Sequence, residues 1–447
     1  MLNVSWAPAG LGWQAILTLA LGVSLVCGQA SPVAAQDNAP QPAEAAPNAK
    51  ATQPAAATDA KPAAPEVSAP AKDALVIPIL LIKEKRDKNQ PLSLLDIAPA
   101  DDGIAGAKLA IADNNTTGKF LNQSFKLDVA EGLIDDLIKE ATAKLATGTG
   151  FIIADVEPQS LLKVADALAG KDAVLFNVGS ADDSVREENC RANVVHISPT
   201  RTMLADAIGQ YLVWKKWINW FLIVGPNPED KAYADAIKRT AKRFGAKIVE
   251  EREFKYEVGS RRSDGGFEQI QQQIPTFTQG AKEHDIVMVA DEGQLFSDYI
   301  PYRTWSPRPV AGTAGLTATS WHPALELWGG TQFQNRFRRL NNRVMRPLDY
   351  DAWLAVRAIG EAVNRRNSGK FADLNQYIHS PEFEIAAFKG VKTTLRAWNG
   401  QLRQPLIVTT PKLLVSISPQ QGFLHQFSEL DTLGIDKPET KCKAYAH

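Results

Sequence analysis

From Ala74 onward, short apolar runs alternate with segments of helical period. The runs are Ala74–Ile82 (ALVIPILLI), Phe125–Val129, Phe151–Ala154 (FIIA), Ala173–Val178 (AVLFNV), Val194–Ile197 (VVHI), Trp220–Val224 (WFLIV), Lys247–Phe254, Asp285–Ala290 (DIVMVA) and Pro309–Gly312. Runs that stay apolar at consecutive positions mark strands buried on both faces of a parallel sheet. Between them, Gly103–Asn114, Leu133–Ala146, Gln159–Leu168, Thr200–Trp214, Pro228–Phe244 and Phe267–Gln279 carry helical patterns, and a late helix follows at Leu348–Asn364. This alternation predicts an α/β fold of doubly wound, mostly parallel sheets. So many strands suit two lobes better than one sheet. Residues 73–199 with about 320–380 are assigned to lobe I, and 200–319 with about 381–415 to lobe II. A strand-rich stretch, Gly390–Val415, precedes a C-terminal tail at 416–447. Several chain crossings between two lobes form a hinge around a cleft.

The pattern upstream of Ala74 is different. Leu11–Val26 is an uncharged apolar stretch followed by small residues ending Val33-Ala34-Ala35, the form of a signal peptide with its cleavage site, here residues 1–35. Sixteen apolar residues fall short of the roughly 20 that a membrane-spanning helix needs, although the leader lacks the usual Lys or Arg. A lipoprotein reading through Cys27 is disfavoured by the bulky Val26 before it. Residues 36–72 hold 14 Ala and 7 Pro with no aromatic residue, so nothing there builds a core and the stretch is expected to be a flexible spacer.

Composition narrows the chemistry. With 49 Lys and Arg against 50 Asp and Glu, the net charge is −1, without the basic excess of a nucleic-acid binder. The three cysteines include no CxxC pair, which excludes zinc ribbons and thioredoxin-like sites. There is no GxSxG, HExxH, phosphate loop or EF-hand loop, and none of the six histidines is paired at metal-ligand spacing. No enzyme signature emerges. Loss of the leader leaves Cys190 and Cys442 in an oxidising compartment, which suggests a disulfide; two unrelated buried thiols are the alternative.

Ligands of doubly wound folds bind beyond the carboxyl ends of the strands. Polar residues there are Asp155 and Glu157 after FIIA, Ser180, Asp182 and Asp183 after LFNVG, and Asp291 and Glu292 after IVMVA. Tyr302 and Trp305, in DYIPYRTW, are candidate aromatic walls of a ligand cleft. The competing reading for each acid is a helix cap or solvated turn. Asp182, Asp183, Glu187 and Glu188 also lie close enough in sequence to suggest a hard-cation site, with Arg186 and Arg191 interleaved. Tyr211–Phe221 (YLVWKKWINWF) could serve a membrane surface, but a helix end entering a buried strand explains it more simply.

GAKLAIADNN at Gly106–Asn115, the unit WFLIVGPNPEDKAYADAIKRTAKRFGAKIVEE and the helix YDAWLAVRAIGEAV resemble segments of type I periplasmic solute-binding proteins, the branched-chain amino-acid receptor class. The resemblance implies two lobes of doubly wound sheet, a periplasmic location, and an ABC permease and ATPase as partners. REENCRANVVHISPTRTMLADAIGQYLVWKKW, PYRTWSPRPVAGTAGL, FEIAAFKGVK, NGQLRQP and SELDTLGIDKPETKC further resemble the substrate-binding component of ABC systems associated with PQQ-dependent alcohol dehydrogenases. That closer resemblance implies a periplasmic β-propeller partner, a link to methanol or other alcohol oxidation, and calcium or a lanthanide as cargo; no cofactor is otherwise implied. An accessory protein of the dehydrogenase system, holding metal rather than an organic solute, is the alternative. The loop NVGSADDSVREENC departs from the small-residue and hydroxyl loop of amino-acid receptors. Amino-acid specificity is not transferred.

Overall fold

The computed structural model describes residues 74–86, 97–255 and 270–445, all within one compact unit. The expected leader (1–35), the spacer (36–72) and the first residues of the helix expected at Phe267 lie outside the described residues.

The first half of the chain runs β1 (Leu75–Glu84), α1 (Ile104–Leu121), β2 (Gln123–Gly132), α2 (Ile134–Ala146), β3 (Phe151–Asp155), α3 (Pro158–Ala167), β4 (Val174–Asn177) and β5 (Val194–His196). These strands form one parallel sheet in the order β2-β1-β3-β4-β5. α4 (Arg201–Trp214), β6 (Asn219–Val224), α5 (Pro228–Phe244), β7 (Lys247–Glu253), α6 (Ile270–Thr278), β8 (Ile286–Ala290), α7 (Ile300–Arg303) and β9 (Val310–Gly312) follow. Their parallel sheet has the order β7-β6-β8-β9. Both orders step outward, back across the first strand and outward again, as doubly wound sheets do.

Local chemistry accounts for the element ends. At the start of α5, Asn227 accepts from the backbone of Asp230 while Asp230 accepts from the backbone of Asn227, Pro228 occupies the first turn, and Gly245 at φ 77° ends the helix. The segment Tyr211–Phe221 is a helix end running into a buried strand, with Tyr211 and Trp220 buried and the Trp220 indole N–H donating to the Trp217 carbonyl at 2.8 Å.

β10 (Thr317–Thr319) is followed by α8 (Gly330–Asn341), α9 (Pro347–Arg366) and α10 (Phe371–Ile378), then β11 (Ile385–Ala386), β12 (Lys392–Leu395), β13 (Leu402–Arg403), β14 (Leu406–Thr409) and β15 (Leu414–Ser418). α9 returns to lobe I, where a β-carbon on Gly106 of α1 would stand 1.8 Å from the Asp349 carbonyl oxygen. Only glycine allows that approach. Trp321 stacks on Tyr350 at 5.0 Å, and Phe333 on Phe388 at 4.5 Å, in the same core.

The structure redraws the expected lobe boundaries. Ile385, Ala387 and Leu402 belong to the lobe I core, so 381–403 does not join lobe II. The small antiparallel sheet β10-β14-β15 lies between the lobes, with Ile407, Leu414 and Ile417 facing lobe I and Val408, Ala318 and Val415 facing lobe II. The chain therefore crosses between the lobes three times, after β5, after β10 and between β13 and β14. The described part of the expected C-terminal tail, residues 416–445, packs on the fold: Leu433 packs with Met203, Ala207 and Leu406. Cys442 is disulfide-bonded to Cys190 at an S–S distance of 2.05 Å. Among the described residues, no helix is long and apolar enough to cross a membrane.

Candidate functional site

The carboxyl ends of the two sheets meet at Arg201. This residue opens α4 directly after the first crossing, and its side chain is only 8% exposed. Nη1 donates to Asp182 of the lobe I loop after β4 at 3.0 Å, while Nε and Nη2 donate to the two carboxylate oxygens of Glu292, after β8 in lobe II, at 2.8 Å each. Burial disfavours the guanidinium charge, but the Glu292 hydrogen bond and charge, then Asp182, hold its pKa above the ordinary value. Burial pushes Glu292 up while Arg201 opposes it. For Asp182 burial is outweighed by the Ser184 hydroxyl and the Arg201 charge, and its pKa falls. The two carboxylates keep 26% and 29% side-chain exposure, so solvent reaches the acids rather than the arginine behind them.

The loop after β4 is fixed from within. The Asn177 side chain accepts from the Ser180 N–H at 3.0 Å and donates to the Ser180 carbonyl at 2.9 Å. Arg186, wholly buried, donates to the carbonyls of Asp182, Ser180 and Ser198 at 2.7, 2.9 and 2.9 Å, and through Nε to Gln401 at 2.6 Å. Burial lowers its pKa to about 10 even with Asp183 and Asp182 nearby. A β-carbon on Gly179 would stand 2.5 Å from Asp155 Oδ1. Asp155, at the end of β3, is buried and pairs with Arg86 at 2.9 Å.

Of the residues expected at the cleft, Asp182 and Glu292 are brought together with solvent access, and Ser180 lies beneath them, buried, with its hydroxyl accepting from the Asp182 N–H at 3.3 Å. Asp183 instead caps α4 in the other lobe, accepting from the Thr202 N–H at 3.2 Å and from its hydroxyl. Burial raises its pKa. Asp291 is fully buried and accepts from the N–H groups of Leu295, Phe296 and Ser297 at 3.0, 2.8 and 2.8 Å, so it shapes its own loop and has no face toward the cleft.

Tyr302 and Trp305 are corrected outright. They are 84% and 59% exposed, and the Trp305 N–H donates to Thr278 at the end of α6 at 2.8 Å. The crossover from β8 to β9 has by then returned to the amino edge of the sheet, opposite the cleft. The four acids considered for metal also separate. Glu187 accepts from the Lys441 N–H, the Thr440 hydroxyl and Asn399, at 2.7, 2.9 and 3.4 Å, and Glu188 is exposed. Among the described residues, no group of three or more His, Cys, Asp or Glu side chains is arranged to hold a metal ion.

Sequence reasoning missed Arg201. A cation at the first helical position opposes the helix dipole, and that anomaly was the available signal that it has carboxylate partners.

This architecture, two doubly wound lobes with their strand ends facing across a hinge, is the fold of solved periplasmic binding proteins. Residues 98–277 match the family model described as periplasmic binding protein. No curated protein sequence matches the chain. Among solved structures, a periplasmic binding protein from Burkholderia mallei is similar at a TM-score of 0.59 and 16% identity, over 84% of this chain and 100% of that one. A branched chain amino acid ABC transporter periplasmic ligand-binding protein from Burkholderia xenovorans LB400 aligns at 0.61 and 16%, over 76% and 95%. A solute binding protein from R. palustris, solved in complex with benzoate, aligns at 0.58 and 14%, over 83% and 99%.

Proposed function

We propose that this protein is an exported, periplasmic solute-binding component of an ABC transporter. It holds a small solute between the Ser180–Asp183 loop of lobe I and Glu292 of lobe II, and hinge closure presents it to the permease. The observation that carries the reading is the convergence of Asp182 and Glu292, from opposite lobes, on Arg201 at the carboxyl ends of both sheets. The family model over residues 98–277 supports it. The solved structures that carry leucine or benzoate in this fold point to small organic acids and amino acids as the first solutes to try. The chain's sequence resemblance to the binding component of PQQ-linked ABC systems supports a role for that transport beside PQQ-dependent alcohol oxidation in this proposal.

A ligand that binds the folded and not the unfolded chain raises the melting temperature, by about 2.7 kcal/mol of stability at 100 times Kd. The test is a thermal-shift screen of leucine, benzoate, formate, PQQ, calcium and lanthanum. A shift by an organic solute that Asp182→Asn and Glu292→Gln both reduce supports the receptor reading. Shifts by metals alone favour the accessory reading. Co-purification with a dehydrogenase and no shift by any solute sinks the receptor reading.

A further inference from the structure

The C-terminal segment touches both lobes in immediate succession. On lobe II, the Gly434 N–H donates to Asp206 of α4 at 2.8 Å, Arg243 of α5 donates to the Gly434 carbonyl at 2.6 Å, and Arg239 of α5 donates to Glu439 at 2.7 Å. Gly434 lies so close against α4 that a β-carbon there would stand 2.6 Å from the Met203 side chain. On lobe I, the Thr440 hydroxyl and the Lys441 N–H donate to Glu187 at 2.9 and 2.7 Å, Cys442 is bonded to Cys190, and the Tyr445 hydroxyl donates to the Val194 carbonyl.

Lobe I also holds the segment earlier, where Arg396 donates to the carbonyls of Leu430, Leu433 and Ile435 at 3.1, 2.6 and 3.3 Å and both Arg396 and Arg403 pair with Asp431, so lobe II's Gly434 is flanked directly by lobe I anchors, and lobe II's Glu439 is followed at once by lobe I's Thr440. One peptide step spans about 3.8 Å between α-carbons, so no spare chain lies between the two lobes at this point. A lobe movement that separates α5 from the Glu187–Val194 loop by more than that step must break anchors on one side. On the lobe I side one anchor is covalent.

We propose that residues 420–445 form a strap, a fourth link between the lobes, which limits how far the cleft opens. The three crossings alone join the lobes along the hinge. The strap adds a tether at the outer edge of the lobe I sheet, beside β5, and restrains rotation of α4 and α5 away from that edge. The inference rests on the two-lobed fold and stands whatever solute the cleft holds.

The test reads the distance between the lobes in the full-length protein. Spin labels on non-cysteine reactive residues replace the exposed Lys163 of α3 and Lys231 of α5, leaving the disulfide undisturbed. In the native chain a narrow distance distribution is expected. A ten-residue Gly/Ser insertion between Glu439 and Thr440, made together with Arg396→Ala and Arg403→Ala to release the lobe I bonds to residues 430–435, keeps the lobe II anchors and the disulfide but gives the strap slack. It is expected to lengthen the mean distance by more than the ~4 Å of one peptide step and to broaden the distribution. The double variant Cys190→Ser with Cys442→Ser, made in the same Arg396→Ala and Arg403→Ala background and folded by circular dichroism, is expected to shift the same way. An insertion variant with an intact disulfide, shown by the absence of free thiols, and an unchanged distribution overturns the proposal. If the insertion prevents disulfide formation, the Cys190→Ser/Cys442→Ser distribution decides in the same sense; if that variant fails to fold, the insertion decides.

Discussion

Arg201 and Glu292 are joined by two parallel hydrogen bonds of 2.8 Å, from Nε and Nη2 of the guanidinium to the two oxygens of the carboxylate, with a third bond from Nη1 to Asp182. A fork of this kind fixes both partners in one plane and is not reproduced by lysine. It sets where the two acids face across the cleft.

Arg201→Gln removes that fork and leaves Glu292 and Asp182 without their cation. Breaking a buried pair costs about 3–5 kcal/mol; because both acids keep solvent contact, about 2 kcal/mol is expected here. Arg201→Lys should recover only part of it. Urea denaturation of the three proteins checks this, and a Lys variant as stable as the native protein would contradict the bidentate account.

Asp291 and Glu292 are neighbours in sequence with separate tasks. Asp291→Ala removes the carboxylate that accepts from the N–H groups of Leu295, Phe296 and Ser297, and at 1–3 kcal/mol per unsatisfied group the expected loss is about 3 kcal/mol. Any solute found by the thermal-shift screen should still bind the folded fraction. Glu292→Gln should do the reverse, with weaker solute binding measured by calorimetry and a smaller stability change.

His196 is fully buried, its Nδ1 lies 3.1 Å from the Asn177 amide nitrogen, and burial followed by the Arg186 charge pushes its pKa well below the ordinary value. The folded imidazole stays neutral while the unfolded one titrates near 6.5. Below that pH the unfolded chain binds a proton that the folded chain does not, so stability falls as pH falls, by up to about 1.4 kcal/mol per pH unit. His196→Asn retains an acceptor for Asn177 and should flatten the pH dependence by about 2 kcal/mol between pH 6.5 and 5. Urea midpoints at both values measure it; an unchanged slope would assign the acid sensitivity to other groups, such as His322 and His379, which burial also lowers.

The Cys190–Cys442 bridge spans a sequence separation of 252 residues. The chain-entropy model assigns a loop of that length roughly 5 kcal/mol. Cys190→Ser with Cys442→Ser should therefore lose up to about 5 kcal/mol in urea unfolding. A loss below about 1 kcal/mol would mean that the hydrogen bonds of the 420–445 segment already hold the reduced chain.

The sequence by itself determined the elements and their class. Apolar runs such as WFLIV and DIVMVA became central strands because burial on both faces is written in consecutive residues, and the α5 boundaries follow from Asn227, Pro228 and Gly245. α10 escaped notice because it is short and polar residues interrupt its periodicity. The site was legible only in part. That strand ends carry the candidate cleft residues follows from topology, and it selected Asp182 and Glu292. Whether a strand-end acid faces the cleft or turns inward depends on the path of the loop after it, which is why Asp291 caps its own loop and Asp183 caps the helix of the other lobe. Tyr302 and Trp305 follow the acids in sequence yet lie at the opposite edge, because the crossover carries the chain back before β9. The partners that define the centre are distant in sequence: Arg201 and Glu292 are 91 residues apart, Arg186 and Gln401 are 215, and Glu187 and Thr440 are 253. Periodicity and caps act over a few residues, and contacts across such separations exist only once the lobes have folded and the strap has closed over them.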